Sequence, residues 1–310
     1  MIIKRRLLNA ILVGLAASFS APYQALFSKE LETQADADTA TAISAAVTSI
    51  PYEHVETSGE NALSEWYRLR TEGRGRPIIV GGDKDFVEFA EQLASRIDIN
   101  ATRTILEKAK VLTHPQSLKA EIERENKSAT ASLKKLLPKN LPTVTVLKPD
   151  GQATQLSADE TEKYFLEETD REPPVGSWPV VVPESPRLSV VHDRAGRYLD
   201  RVHILLIPAS DGIEVPAFLR WGGWNTCPLP EFHVAALRSW RDRFGAQLIA
   251  LNSDTMILRV DRHPQTRKEA LDLAKEQFIY CEDIVLQGTG TLSVLAACLM
   301  ADNWWYFWWD

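Results

Sequence analysis

Residues 304–310 read Trp-Trp-Tyr-Phe-Trp-Trp-Asp, and seven of the nine tryptophans fall after residue 185. Side chains of that size must be buried, so this part of the chain needs a sheet or helix layer large enough to receive them. Six consecutive aromatic residues offer apolar surface on both sides of an extended segment, which predicts a buried strand. A stacking platform for a sugar or peptide is the alternative use of such a run.

Around that run the C-terminal part reads as α+β. Val202–Pro208 and Glu214–Trp221 read as strands joined by Ser210-Asp211-Gly212. A helix over 228–244 carries Val234, Leu237 and Trp240 on one stripe, and Gln247–Leu251 and Met256–Val260 form a hairpin about Asn252-Ser253-Asp254. Thr266-Arg267-Lys268-Glu269 is a capping box opening a helix with Leu271, Ala274 and Phe278 inward, and Thr291 opens another to about Leu299.

Before it lies a helix-rich α/β region over 51–185. Helices are predicted at 61–70 (Leu63, Trp66, Leu69), 84–97 (Phe86, Phe89, Ala90, Leu93), 102–112, 116–137 and 158–168, with strands at 77–80 and 143–148. Gly81-Gly82-Asp83 is a strand-to-helix turn; an anion site on its free N–H groups is the rarer reading. The Pro-rich stretch 173–186 marks a boundary, so residues 186–310 form a C-terminal module with a largely antiparallel sheet and packed helices. Segment 22–50 is poor in large apolar side chains and reads as a flexible tether, with a frayed Ala-rich helix as the alternative.

Residues 1–21 have the layout of a secretory signal: Lys4, Arg5 and Arg6, an apolar stretch, then small residues before Ala21. The apolar run stops at Pro22 after about fifteen residues, short of the ~20 that a spanning helix needs. An uncleaved N-terminal anchor is the alternative, and the only membrane contact foreseen. The expected location is periplasmic or secreted.

The net charge of −7 argues against a nucleic-acid partner, which calls for a basic stripe. The acidity belongs to 22–185 (19 basic, 27 acidic) rather than to 186–310 (13 basic, 15 acidic). Such a surface suits a protein partner of basic character. No cofactor motif occurs: there is no P-loop, GxGxxG, HExxH, GxSxG or CxxC.

Four motifs are distinctive together: Trp221-Gly222-Gly223-Trp224-Asn225-Thr226-Cys227-Pro228; Glu231 with His233-Val234; Tyr280-Cys281-Glu282-Asp283-Ile284-Val285 with Gln287-Gly288; and the terminal aromatic run. In this order they resemble the bacterial domain-of-unknown-function family numbered 4253, over roughly 200–310. The sequence departs from the family pattern in having Glu282 where Pro precedes the Asp. The resemblance implies an α+β module and brings no established activity or catalytic residues.

Within these motifs, Cys227, His233 and Asp283 are the types needed for a thiol nucleophile, a base and an orienting carboxylate, with Asn225 as oxyanion donor. Cys227, Glu231, His233, Cys281 and Asp283 also include metal-ligating types, but their spacing matches no established site and no metal is assigned. Trp224, Asn225, Glu231, Tyr280, Gln287 and Asp310 are binding candidates, and purely structural roles compete for all of them. Arg220 or Arg259 is a candidate clamp for Asp310. Cys227 and Cys281, each beside a helix end, are candidates for a disulfide in an oxidising compartment, whereas Cys298 reads as a buried apolar residue. The leading functional expectation is a non-enzymatic binding or protein-interaction protein; the rival is a hydrolase or metal-dependent enzyme using Cys227, His233 and Asp283.

Export has a direct test. N-terminal sequencing of the protein from its native host should begin near Phe19 or Ala21; intact Met1 in the soluble cytoplasmic fraction would refute it.

Overall fold

The structure, a computed structural model, describes residues 28–94, 96, 99–136, 145–147, 153–155, 157 and 173–310. The signal-like segment 1–21 and the helix expected at 158–168 lie outside these residues. No helix among the described residues is long and apolar enough to cross a membrane.

The chain divides into two compact units. One, within 119–174, holds most of helix α5 (Gln116–Leu136) and a small antiparallel hairpin of β3 (Thr145–Leu147) and β4 (Ala153–Gln155). The other takes residues 19–118 together with 175–310.

This second unit is built on a six-stranded sheet in the order β1-β5-β2-β6-β7-β8. Its strands are β1 (Glu53–Thr57), β2 (Arg76–Gly81), β5 (Val202–Ile207), β6 (Gln247–Leu251), β7 (Thr255–Arg259) and β8 (Trp304–Trp308). Four of the five pairings are antiparallel and β2–β6 is parallel. The α+β class and the largely antiparallel sheet are as the sequence predicts. The partition at 173–186, however, does not separate two sheets. Strand β5, from the C-terminal part, sits between β1 and β2 from the N-terminal part, and β2 alone joins β5 to β6.

Helices cover both faces. On one, α2 (Ala62–Glu72) buries Trp66 and Leu69 against Ile79, Ile204, Leu206, Ile249 and Ile257. On the other lie α3 (Asp83–Ala94), α7 (Pro230–Phe244) and α8 (Arg267–Tyr280), and α4 (Ile99–Lys110) packs on α7. There Trp240 stacks on Phe307 at 5.3 Å, Phe244 meets Trp305 edge-on, and Tyr280 meets Phe307. The aromatic run is therefore a strand, but an edge strand. Trp305, Phe307 and Trp309 are buried beneath α7 and α8, while Trp304 and Tyr306 are half-buried on the α2 face. That makes the run core and leaves no stacking platform on its buried face.

Three local expectations change. Residues 28–49 form a helix, α1 (Ser28–Ser49), not a tether; Ile43 and Ala46 are buried and the helix packs on α3. Segment 214–221 is not a strand, because Asp211 and Glu214 make a capping box. The Asp211 carboxylate accepts from Ile213 N–H at 3.2 Å, and Glu214 reaches back to accept from Asp211 N–H at 3.4 Å and also from Ser210 N–H at 3.0 Å. This starts a 3₁₀ turn and then α6 (Val215–Leu219), with Pro216 in its first turn. Helix α8 is rotated from the expected stripe: Ala270, Leu273, Ala274, Gln277 and Tyr280 are buried, Leu271 and Phe278 only half so. Its Thr266 cap forms, though Glu269 reaches back to Gln265 N–H rather than to Thr266. Gly81-Gly82-Asp83 is the strand-to-helix turn that the sequence predicts, and Gly81 (φ +128°) is held so close to the Asp85 carboxylate that a Cβ would lie 2.5 Å from it. Asp85 itself accepts from Gly82 N–H, so that donor of the turn is satisfied from within the chain.

Because β2 is the central strand, residues 186–310 expressed alone should not fold, whereas 50–310 should. Near-UV circular dichroism and thermal melts distinguish the two. A cooperative transition of the short fragment close to that of the longer one would overturn this topology as an obligate one.

Candidate functional site

The loop before α7 closes over His233. Trp221 is anchored by its indole N–H donating to Asn252 O at 2.6 Å. Gly222 then turns with φ +114°, where a Cβ would lie 2.1 Å from Pro228 O and 2.6 Å from His233 Nε2. No other residue fits there, so the glycine is what lets the backbone seal the imidazole. Gly223 N–H donates to Pro228 O at 2.9 Å and Cys227 N–H to Trp224 O at 2.8 Å, which leads into Pro230 at the helix start.

His233 is thereby completely buried, with its ring against Trp221 and Trp309. Its Nδ1 lies 2.5 Å from the Tyr280 hydroxyl and its Nε2 3.4 Å from Cys227 Sγ. The structure thus brings Cys227 and His233 together, but the partner on the far nitrogen is Tyr280, where a triad would place Asp283. The Asp283 carboxylate, also buried, accepts from the Gln287 side-chain amide at 2.8 Å and from Asp310 N–H at 3.2 Å.

Burial dictates the protonation of this cluster. It pushes the Cys227 thiol well above its ordinary range, with nearby Cys281 adding to the effect, and pushes the Tyr280 hydroxyl and Cys281 thiol up likewise. It pulls His233 down to about 3. A thiol nucleophile needs the reverse, a depressed thiol beside a cationic or basic imidazole. At neutral pH the group is a neutral imidazole among protonated thiols and a phenol.

The disulfide expectation is corrected: Cys227 and Cys281 are free thiols with different partners, Cys281 donating to Trp308 O at 3.0 Å. The arginine clamp on Asp310 is not formed either. Arg220 donates to Arg96 O and Arg259 to the Tyr67 hydroxyl, while the Asn225 amide holds Asp310 O. With that bond made, Asn225 is a strut for the last strand and not an oxyanion donor. Trp224 lies half-buried beneath the Arg96 guanidinium, and Glu231 is buried within 3.4 Å of Lys108 Nζ.

Two features escape sequence reasoning. The first is a cleft of about 210 Å³ at the start of β2, floored by Trp66, Leu237 and Leu248 and rimmed by Arg70, Arg76 and Arg241. Arg76 donates to Ser210 O, Arg70 to Gln247, and Arg241 to Asp211 at 2.6 Å. The second is a chain of side chains at the β1 edge of the sheet. His54 Nε2 lies 2.8 Å from His203 Nδ1, and His203 Nε2 lies 2.8 Å from Asp83 Oδ1. Arg201 donates to both oxygens of Asp83, at 2.7 and 2.6 Å, and these bonds hold its carboxyl below the usual range. Burial pulls both histidines down. Residues 54 and 203 are far apart in sequence, so only the pairing of β1 with β5 reveals the group. The alternation His54-Val55-Glu56 is the sole local signal.

The neutral His233 makes stability pH-dependent. Its folded value near 3 lies below the unfolded value of about 6.5, so the unfolded chain binds a proton that the folded chain refuses. Stability is complete above about pH 6.5 and falls as pH drops toward 3, by about 2 kcal/mol at pH 5 from this residue. Denaturant melts at pH 7.5 and pH 5 check it. A His233→Gln variant should show a shallower pH slope, and an unchanged slope would refute the assignment.

No curated protein and no solved structure matches the chain. Residues 203–310, about a third of the chain and beginning inside β5, match the family model described as Domain of unknown function (DUF4253).

Proposed function

We infer that the chain is an exported, non-enzymatic binding protein that recognises an acidic group of a partner protein in the arginine-rimmed cleft. Export rests on the signal-like layout of residues 1–21. The carrying observation for binding is the cleft lining, where three arginines accompany a single carboxylate, Asp211; Arg241 is shared between Asp211 and Asp242, while Arg70 and Arg76 are held by uncharged acceptors. Arginine forks match a carboxylate in two parallel hydrogen bonds. The volume of about 210 Å³ admits one side-chain carboxylate and its stem rather than a larger ligand. A chain of net charge −7 repels polyanions such as nucleic acid at long range and suits a partner that is basic overall and presents one localised acidic group to the cleft. The hydrolase reading has less support, since Cys227 and His233 are sealed, neutral and engaged with each other.

The test is a titration of the full chain with a tetraglutamate peptide against its tetraglutamine counterpart. Binding of the glutamate peptide alone is expected, weakening with salt and at least tenfold in Arg70→Gln/Arg241→Gln. The Arg241–Asp211 pair is part-exposed and worth only about 0–1 kcal/mol, so the variant should still fold. Equal binding of both peptides, or binding untouched by the variant, would overturn the reading. Ester hydrolysis abolished by Cys227→Ala would favour the rival.

A further inference from the structure

Strands alternate their side chains between faces, so His54 and Glu56 on β1 point to one side and Val55 to the other. In the β1–β5 register Glu56 stands directly opposite His203, and Val55 opposite Ile204. Val55 and Ile204 join the apolar cluster under α2. The two imidazoles and the Glu56 carboxylate are therefore brought to the same face at the sheet edge, each offering one ligating atom within 4.8 Å of the others.

The surroundings of this trio are built rather than incidental. Asp83 accepts a hydrogen bond from His203 Nε2–H, which leaves the lone pair of Nδ1 directed at His54. Arg201 grips Asp83 through two bonds, so the acceptor cannot swing away. Phe86 from α3 stacks on both rings, at 4.3 Å from His203 and 4.8 Å from His54. The bulge between Ile79 and Gly81, where β2 leaves the ladder opposite His203, leads into the start of α3 that carries Asp83. A carboxylate behind a histidine is the support that metal-ligating imidazoles commonly have, where it fixes tautomer and ring angle. Glu56 is exposed and His54 half-buried, so an ion can reach the trio from solvent.

We propose that His54 Nε2, His203 Nδ1 and the Glu56 carboxylate form a site for one divalent first-row transition-metal ion, with Asp83 and Arg201 as positioning residues. Two imidazoles with one carboxylate select zinc-like ions over calcium or magnesium, which prefer all-oxygen shells. Metal–nitrogen bonds of about 2.0–2.1 Å at tetrahedral angles set the two nitrogens about 3.3 Å apart. The present separation of 2.8 Å must open by about half an ångström, a small turn of the solvent-side His54 ring. On binding, the proton shared between the two nitrogens leaves His54 Nε2 and His54 carries its proton on Nδ1, so both ligating nitrogens present lone pairs. Three protein ligands leave the fourth position to water or to a group from a partner. This site lies apart from the arginine cleft and does not depend on the reading of it.

The test uses the full chain without an affinity tag, freed of metal by chelation, and titrated with zinc chloride and separately with cobalt chloride. One equivalent of zinc should bind, and the cobalt form should show the visible absorption of a four-coordinate ion. His54→Gln and Glu56→Gln change half-buried or exposed edge positions and should keep the metal-free melting curve, while binding falls more than a hundredfold in the former. Asp83→Asn should weaken binding about 10–100-fold and broaden the cobalt spectrum, which a merely structural role would not do. No saturable binding by the wild-type chain, or unchanged zinc affinity in His54→Gln, would overturn the proposal.

Discussion

Strand β2 is the element on which the rest of the larger unit depends. It is the only link between the β1–β5 pair and the β6-β7-β8 group, and Ile78, Ile79 and Val80 in it are fully buried. Each such side chain contributes about 1.5–3 kcal/mol by burial. Together they approach the ~5–15 kcal/mol by which a whole domain is stable. Everything placed around β2 inherits its position. Trp66 of α2 hydrogen-bonds Pro77 O at 2.6 Å, and the exit of the strand aims Asp83 at His203. The region matching the family model lies in the same sheet, yet its two groups of strands meet only through a strand that precedes it in sequence.

The aromatic core explains why reactive residue types can sit in this fold without reactive states. Trp221, Tyr280 and Trp309 surround His233, and in that apolar enclosure the uncharged form of each group prevails. Cys227, His233 and Tyr280 then act as a chain of short polar contacts joining the Gly222 loop, α7 and α8. Their chemistry is spent on specifying how three elements meet. The cleft lined by Arg70, Arg76 and Arg241 and the solvent-facing Glu56 at the β1 edge lie away from this enclosure.

Much of the fold was legible because helices announce themselves by period: Phe86, Phe89, Ala90 and Leu93, or Val234, Leu237 and Trp240, all face inward as their spacing requires. Segment 214–221 misleads because its apolar residues are equally spaced for a short strand, and the two side-chain bonds of Asp211 and Glu214 decide for helix. The tether fails for a related reason, since a few apolar contacts from Ile43 and Ala46 suffice to hold an Ala-rich helix on α3. In the site, sequence names the residue types of the four motifs but not their states, which burial sets. The His54–His203–Asp83 chain is silent in sequence because each member is locally ordinary and only long-range pairing makes it a group.

The interleaved sheet also has a consequence in time. A ribosome delivers about 5–20 residues per second. Strand β2 has emerged by Gly81 and its parallel neighbour β6 begins only at Gln247. For roughly 10–30 s the nascent chain therefore carries an apolar strand with no partner on that side. Strand β5 emerges first and can cap the other edge, giving a three-stranded β1-β5-β2 intermediate with one sticky margin. During that interval, protection from other nascent chains must come from outside the molecule, from the ribosome surface or a holding chaperone.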